Sequence, residues 1–313
     1  MTTATAARLP NFFVAGAPKA GTTSLYFYLA QHPQVYMSPV KEPTFFGAAD
    51  ILSAPQRDLI LQRGVHDPGP LRRYLTGTHT YAPLVLEWDD YLTLFRNVRE
   101  EIAIGEASAS YLWQPSAAEA IRARVPGARL VFILRDPAER LFSHILGSSW
   151  SDPVQTFRAR FLAALEPGGI GRNLVNIGRY ATHLQRFLDR FPREQVSIHL
   201  YEDYQGDART VLRNVFAFLG VDPDHPVDVS RRHGETTVPR FRLLHAARFR
   251  LFGPAPVARW MPERARRALK RLYRRKPDAG LDSADRRMVI DYYRDEILRT
   301  ADLIGRDLSA WLR

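Results

Sequence analysis

Residues 12–24 read FFVAGAPKAGTTS, an apolar run followed by a loop of small residues and the start of a helical pattern. Gly16 and Gly21 allow backbone amides to approach an anion, and the first turn of a helix adds unpaired N–H groups and a favourable dipole. Lys19 brings a cation to the loop. Three hydroxyl donors follow it: Thr22, Thr23 and Ser24. The stretch therefore predicts a phosphate-binding cradle between a buried strand and a helix.

The residue order in this loop differs from that of two widespread nucleotide-binding loops. The loop of nucleoside triphosphatases ends in Gly-Lys-Ser/Thr, whereas here Lys19 precedes Gly21 and Thr22 follows it. The three-glycine spacing of a Rossmann loop is also absent. An ordinary strand-to-helix turn explains the glycines and threonines, but not the added Pro18-Lys19 pair.

Short apolar runs alternate with longer helical patterns along the chain. Strands are predicted at Asn11–Ala15, Glu101–Gly105, Arg129–Leu134 and Gln195–Leu200. Helices are predicted at Thr22–Gln31, Asp89–Phe95, Ser116–Arg124, Pro137–Ile145, Tyr180–Phe191, Ala208–Leu219 and Ser283–Leu303. The expected apolar face of the last helix consists of Met288, Tyr292, Leu298 and Leu303. This alternation predicts a three-layer, P-loop-like α/β fold with a central parallel sheet flanked by helices.

Length and composition fit one soluble globular domain over residues 1–313, with 45% hydrophobic and 25% charged residues. The absence of cysteine excludes disulfides, thiolate metal sites and a cysteine nucleophile. The net charge of +11 is local, because residues 240–276 contain thirteen basic side chains and one acidic one. We interpret this basic segment and the weakly periodic residues 47–88 as two insertions, the second on the acceptor side.

No stretch is typical of a targeting signal or a membrane span. The apolar run at residues 12–15 is soon broken by Gly16 and Pro18, and no run approaches the roughly 18 apolar residues of a transmembrane helix. The sequence therefore predicts a cytoplasmic protein, at most peripheral to a membrane.

A second motif, SPVKEPTFF at residues 38–46, places the pair Lys41-Glu42 before two phenylalanines. Charged neighbours of this kind are usually a solvated ion pair. A carboxylate beside an acceptor can instead take the proton from an attacking hydroxyl or amine. The residues alone leave both interpretations open.

A third motif, LVFILRDP at residues 130–137, places Arg135 where a strand is predicted to end. Ligands bind at that edge of open α/β sheets, and a guanidinium offers two parallel donors to a phosphate. Asp136 and Pro137 are typical of a helix start, and Ser143 on that helix adds a hydroxyl.

The three motifs, in this order and spacing, resemble the sulfotransferases that use 3′-phosphoadenosine 5′-phosphosulfate (PAPS), in the branch of heparan-sulfate-type and many bacterial enzymes. The resemblance implies that the first loop holds the 5′-phosphosulfate through Lys19, Ala20, Gly21, Thr22, Thr23 and Ser24. It assigns Arg135 and Ser143 to the 3′-phosphate and Glu42 to the general base. Lys19 is the second catalytic candidate, because its charge would stabilise the bridging phosphate oxygen.

Further segments resemble the same family. Residues 105–112 resemble a segment near the acceptor cleft, although Ala107 stands where some relatives carry a lysine. The acceptor-side candidates are Lys41, Glu106, Tyr111 and Trp113. Arg232 and Arg240 are candidates for a cofactor-covering loop, but the family's Lys-Gly-Arg form of that loop is missing.

The resemblance implies transfer of a sulfuryl group to a hydroxyl or amine of a glycan, lipid or small metabolite, without a metal. A P-loop kinase-like phosphotransferase is an alternative, against which the position of Lys19 and the presence of Glu42 argue. A nucleic-acid-binding protein is another, supported only by the basic segment, and we expect no nucleic-acid partner. That segment suits an anionic acceptor or a membrane surface, and a solvated helical face explains it as well.

Overall fold

The computed structural model describes residues 8–52, 85–147, 156–169, 171–231, 238–239, 274–275 and 280–313. They fall into two compact units. The first comprises Met1–Arg135 and Tyr180–Gly234, and the second Asp136–Arg179 and Glu235–Arg313. That residues 1–313 form a single domain stays a prediction.

The first unit contains a five-stranded, wholly parallel sheet. Its strands are β1 (Phe12–Gly16), β2 (Val35–Met37), β3 (Ala103–Ala107), β4 (Arg129–Leu134) and β5 (Val196–Leu200), in the order β2-β3-β1-β4-β5. All residues of β1 and β3 are buried, as expected for central strands covered on both faces. The predicted α/β fold with a central parallel sheet is confirmed.

The helices described in the first unit are α1 (Thr22–Leu29), α2 (Ala48–Ile51), α3 (Trp88–Thr93), α4 (Ala117–Arg124), α8 (Tyr180–Leu188), α9 (Tyr201–Gly206) and α10 (Ala208–Leu219). Five of them correspond to predicted helices, whereas the short helices α2 and α9 were not predicted. Short 3₁₀ turns lie at Phe45–Gly47, Ala109–Leu112 and Arg193–Gln195. Of the 47–88 insertion, residues 53–84 lie outside the described residues.

The described residues of the second unit are mostly helical. It contains α5 (Pro137–Gly147), α6 (Phe157–Leu165), α7 (Arg172–Asn176), α11 (Ser283–Ile304) and a 3₁₀ turn at Ser309–Leu312. Two short strands, β6 (Val238–Pro239) and β7 (Arg274–Arg275), pair in antiparallel fashion. The rest of the basic segment 240–276 lies outside the described residues.

Two polar clusters hold the second unit together. Asp136 caps α5 by accepting from the N–H of Ala138 at 2.8 Å, and it also accepts from Arg286 Nη2 of α11 at 2.6 Å. The predicted helix start at Asp136-Pro137 is therefore confirmed. The fully buried Arg140 of α5 donates to the Tyr293 hydroxyl of α11 at 3.2 Å, which ties the same two helices together in the core.

The predicted apolar face of the last helix is wrong. Tyr292 and Leu298 are 42% and 47% exposed, whereas the buried stripe consists of Val289, Ile290, Tyr293, Glu296, Ile297 and Thr300. The buried residues recur every three or four positions and so share one face. Tyr293 lies near the middle of that stripe, and Tyr292 and Leu298 lie about 100° and 140° from it around the helix, so both fall outside the buried face.

In the described part of the chain, no helix combines the length and the apolar character that a bilayer span requires.

Candidate active site

The loop after β1 is shaped by a close approach of two strands. Gly16 has a φ of +146°, and a Cβ built on it would lie 2.3 Å from the carbonyl oxygen of Ile133 in β4. The next residue, Ala17, donates its N–H to that same oxygen at 2.8 Å. Only glycine fits this position, so the loop leaves β1 held tightly against the end of β4.

Lys19 lies at the turn of this loop with a φ of +66°, a left-handed backbone that costs a residue other than glycine about 1–2 kcal/mol. Arg135, which follows β4, donates from Nη1 to the Lys19 carbonyl at 3.0 Å. The guanidinium carbon of Arg135 lies 4.9 Å from the centre of the Tyr201 ring, and the Tyr180 hydroxyl donates to the Arg135 carbonyl at 2.8 Å. Three elements thus hold the loop in a strained form, which is typical of binding sites.

The first turn of α1 completes the cradle. Gly21 precedes the helix with a φ of +87°, no side chain caps the first turn, and that turn contains no acidic residue. The rings of Tyr201 and Tyr204 lie 3.2 Å from where a Cβ of Gly21 would be. The initial N–H groups of a helix need a partner from outside it, and a phosphate supplies one. The residues present therefore fit a phosphate group.

Glu42 is the second residue with a strained backbone, at a φ of +62°, and Thr44 follows at +56°. The Glu42 side chain is 47% exposed, and its carboxylate accepts a hydrogen bond from Lys41 Nζ at 2.7 Å. Its backbone N–H donates to the carbonyl of Ala107 at 2.8 Å. The structure thus presents an accessible carboxylate on a backbone fixed to the end of β3.

The sheet places Glu42 beside the β1 loop. Ala107, to which Glu42 is bonded, pairs in register with Val14 of β1, two residues before Gly16. The Phe46 ring packs edge-on against Phe13 of β1, with ring centres 5.4 Å apart. The carboxyl ends of parallel strands meet at one edge of the sheet, so the cradle and the carboxylate share the edge at which such sheets bind ligands.

Glu106 lies beneath the Glu42 segment and is completely buried. Its carboxylate accepts three hydroxyl hydrogen bonds, from Tyr111 at 2.6 Å, Ser108 at 2.7 Å and Tyr91 at 3.0 Å. Tyr111 is buried as well. Neither Glu106 nor Tyr111 therefore reaches an exposed acceptor surface, whereas Trp113 is half-buried and Lys41 stays paired with Glu42.

Glu106 makes the stability of the fold depend on pH. Burial raises the pKa of its carboxyl from 4.5 to about 7, and hydrogen bonds from Tyr111, Ser108 and Tyr91 offset this only in part. Between these two pKa values the folded chain keeps a proton that the unfolded chain has lost. The free energy of unfolding should therefore fall by about 3 kcal/mol as the pH rises through this window, and this contribution should not change further at higher pH.

Urea denaturation of the wild type and of Glu106→Gln, at pH values on both sides of this window, tests that expectation. Because all other titrating groups are shared, only the wild type should lose the additional stability with rising pH. Equal slopes of unfolding free energy against pH would contradict it.

Three further candidate residues are Ser143, Arg232 and Arg240. Ser143 lies on α5 in the second unit, where it is buried. Arg232 and Arg240 lie outside the described residues. The binding roles assigned to Arg135 and Ser143 stay predictions. In the part of the chain that the structure describes, no three His, Asp or Glu side chains are grouped to hold a metal ion.

The structure brings three residues that the sequence did not single out into contact with the candidate residues, without placing them in the catalytic machinery. Tyr201 lies against both Arg135 and Gly21, and Tyr91 and Ser108 bind the buried Glu106. Tyr201 directly follows β5, so its position at the carboxyl end of a predicted strand could have identified it as a residue near the ligand-binding edge of the sheet. Nothing in the local sequence connects Tyr91 with Glu106, which come together only through the fold.

The fold and the cradle define a P-loop-like α/β protein whose first loop fits a phosphate group. The model of the Sulfotransferase family matches residues 10–225, and the chain belongs to that family. The assignment drawn from the three motifs is therefore confirmed.

Named relatives agree with this assignment. Human carbohydrate sulfotransferase 15 is 28% identical over 253 residues, which cover 69% of this chain and 44% of the relative. The mouse bifunctional heparan sulfate N-deacetylase/N-sulfotransferase 4 is 24% identical, covering 97% of this chain and 31% of the relative. The chain thus spans less than half the length of these two relatives. A solved sulfotransferase from Alicyclobacillus acidocaldarius superimposes with a TM-score of 0.68 at 27% identity, covering 98% of this chain and 100% of that one.

Proposed function

We propose that this protein transfers the sulfuryl group of PAPS to a hydroxyl or amine of a carbohydrate acceptor, with Glu42 as the general base. One observation carries the proposal. Lys19 and Glu42, a cation and a carboxylate, are both held in left-handed backbone at the same edge of the sheet, one in the β1 loop and one fixed to β3. Strained backbone is typical of functional sites, and its presence at both Lys19 and Glu42 supports a shared catalytic role for these two residues.

The chain's own residues divide the work of an in-line transfer. PAPS supplies a sulfuryl group whose bond to the 5′-phosphate oxygen breaks as a bond to the acceptor oxygen or nitrogen forms. The amides of the first turn of α1 bind the 5′-phosphate, and the Lys19 ammonium stabilises negative charge on the oxygen that leaves. Arg135 holds the loop through the Lys19 carbonyl, and its guanidinium is the group that we assign to the 3′-phosphate.

Glu42 takes the acceptor's proton. Its carboxylate is accessible, so an acceptor hydroxyl or amine can reach it without opening the fold. The Lys41 ammonium, 2.7 Å from the carboxylate, orients it, and we assign to the same ammonium a contact with the sulfuryl group. The products are a sulfated acceptor and 3′,5′-adenosine bisphosphate.

Two observations favour a carbohydrate acceptor. The relatives named above are described as carbohydrate and heparan sulfate sulfotransferases, and the heparan sulfate relative covers 97% of this chain. The basic segment 240–276 supplies positive charge that suits an anionic polysaccharide. Lipids and small metabolites are the competing acceptors, and the predicted cytoplasmic location is part of the same proposal.

Radiolabelled PAPS offered with a panel of acceptors tests this function. The panel should contain polysaccharides with free hydroxyls or amines, lipid headgroups and small alcohols. We expect label to transfer to a polysaccharide, with no loss of rate when a chelator removes magnesium. Phosphoryl transfer from ATP to the same panel, without transfer from PAPS, would contradict the proposal and favour a phosphotransferase.

A further inference from the structure

Two hydroxyl groups connect the buried Glu106 to the backbone that carries Glu42. The Ser108 hydroxyl donates to Glu106 Oε2 at 2.7 Å, and its oxygen accepts from the N–H of Thr44 at 3.1 Å. The Tyr111 hydroxyl donates to Glu106 Oε1 at 2.6 Å, and its oxygen accepts from the N–H of Phe46 at 3.4 Å. We call these two connections the hydroxyl relays.

The direction of each relay follows from the chemistry of a carboxylate. An ionised carboxylate only accepts hydrogen bonds, so both hydroxyl hydrogens must point towards Glu106. The lone pairs of the two hydroxyl oxygens are then left for the N–H groups of Thr44 and Phe46. One buried negative charge therefore sets the hydrogen-bond direction at two points of a single loop.

That loop is the segment on which the position of Glu42 depends. Glu42 and Thr44 both adopt left-handed backbone, which the residues themselves disfavour. The structure must therefore enforce it from outside the loop, and the Glu42 N–H bond to Ala107 supplies one anchor. The relays supply two more, one at the strained Thr44 itself and one two residues later at Phe46.

We propose that Glu106 is a positioning residue for Glu42, acting through Ser108 and Tyr111 on the backbone of residues 42–46. This inference rests on the proposed function, in which Glu42 is the base. A base must lie within hydrogen-bond reach of the acceptor proton, and a misplacement of about 1 Å costs on the order of 10²-fold in rate. Glu106 itself does not touch the acceptor.

The chain contains a matched control for cutting one relay. Tyr91 and Tyr111 each donate a hydroxyl to the same oxygen, Glu106 Oε1, and both side chains are fully buried. Of these two tyrosine hydroxyls, only that of Tyr111 also accepts from a described residue of the loop, the N–H of Phe46. Tyr91→Phe and Tyr111→Phe therefore remove the same chemical group from the same carboxylate, but only the second cuts a relay.

The experiment compares Tyr91→Phe, Tyr111→Phe, Ser108→Ala and the double variant Ser108→Ala/Tyr111→Phe at a pH above about 7, where Glu106 is ionised. We expect kcat for sulfuryl transfer to fall about 10-fold in each relay variant and about 100-fold in the double variant. The Kd for 3′,5′-adenosine bisphosphate should stay within about twofold of wild type, because the cradle is intact. Tyr91→Phe should keep its kcat, although it too loses a hydrogen bond to Glu106 and with it thermal stability.

A loss of kcat in Tyr91→Phe equal to that in Tyr111→Phe, or a wild-type kcat in the double variant, would overturn the inference. Glu42→Gln separates this failure from that of the proposed function. If Glu42→Gln retains full activity, the base assignment itself fails. If Glu42→Gln is inactive and the relay variants are fully active, only the positioning role fails.

Discussion

Replacing Glu42 by glutamine should lower the rate of sulfuryl transfer by about 10³-fold without weakening cofactor binding. Glutamine has nearly the same shape but cannot accept the acceptor's proton, so only the proton-transfer step is lost. The side chain is 47% exposed and its structural bonds run through its backbone, so the substitution leaves the fold intact. Transfer from radiolabelled PAPS measures the rate, and calorimetry with 3′,5′-adenosine bisphosphate measures binding.

Glu42→Asp is the matched control for this prediction. Aspartate keeps a carboxylate but retracts it by one methylene, so transfer should recover in part. This graded series distinguishes a base from a residue that only supports the loop, because all three side chains leave the backbone bond to Ala107 in place. Wild-type transfer by Glu42→Gln would remove Glu42 from the mechanism.

The sheet could be predicted largely from local patterns. The four predicted strands lie within two residues of β1, β3, β4 and β5. β2 was missed because Val35–Met37 is too short to show a strand's periodicity. The prediction chose the wrong face of α11. The four-residue spacing of Val289, Tyr293 and Ile297 indicated the buried face, but the prediction followed the large side chains of Tyr292 and Leu298, which are exposed.

The active site could be predicted only where it is continuous in sequence. Lys19, Glu42 and Arg135 stand in motifs whose resemblance to a family identified them, and the structure places all three at one end of the sheet. The strain at Lys19 and Glu42 has no signal in residue type, because neither is glycine. The burial of Glu106 depends on Tyr91, which reaches it from a separate helix. Backbone strain and contacts between distant residues arise from tertiary packing, so they can be identified only once the fold is known.

Removing the charge at Lys19 should weaken cofactor binding and also slow sulfuryl transfer, whereas Glu42→Gln should slow transfer alone. Its ammonium belongs to the loop to which we assign the 5′-phosphate, so we expect the interaction to exist before transfer and to strengthen as the leaving oxygen gains charge. We expect Lys19→Ala to lower kcat by about 10²- to 10³-fold. We also expect it to raise the Kd for 3′,5′-adenosine bisphosphate by about 10-fold, which is at the low end for a charged hydrogen bond.

Lys19→Gly separates the charge from the strained backbone. Alanine inherits the left-handed φ of +66° with its cost, whereas glycine adopts it freely, so Lys19→Gly should unfold at a higher urea concentration than Lys19→Ala. If the ammonium is what matters, both variants lose transfer to the same extent despite this difference in stability. If Lys19→Gly transfers sulfuryl groups as the wild type does, the residue serves only the shape of the loop. Lys19→Arg completes the set, because it keeps the charge in a planar, bulkier group and should retain binding better than transfer.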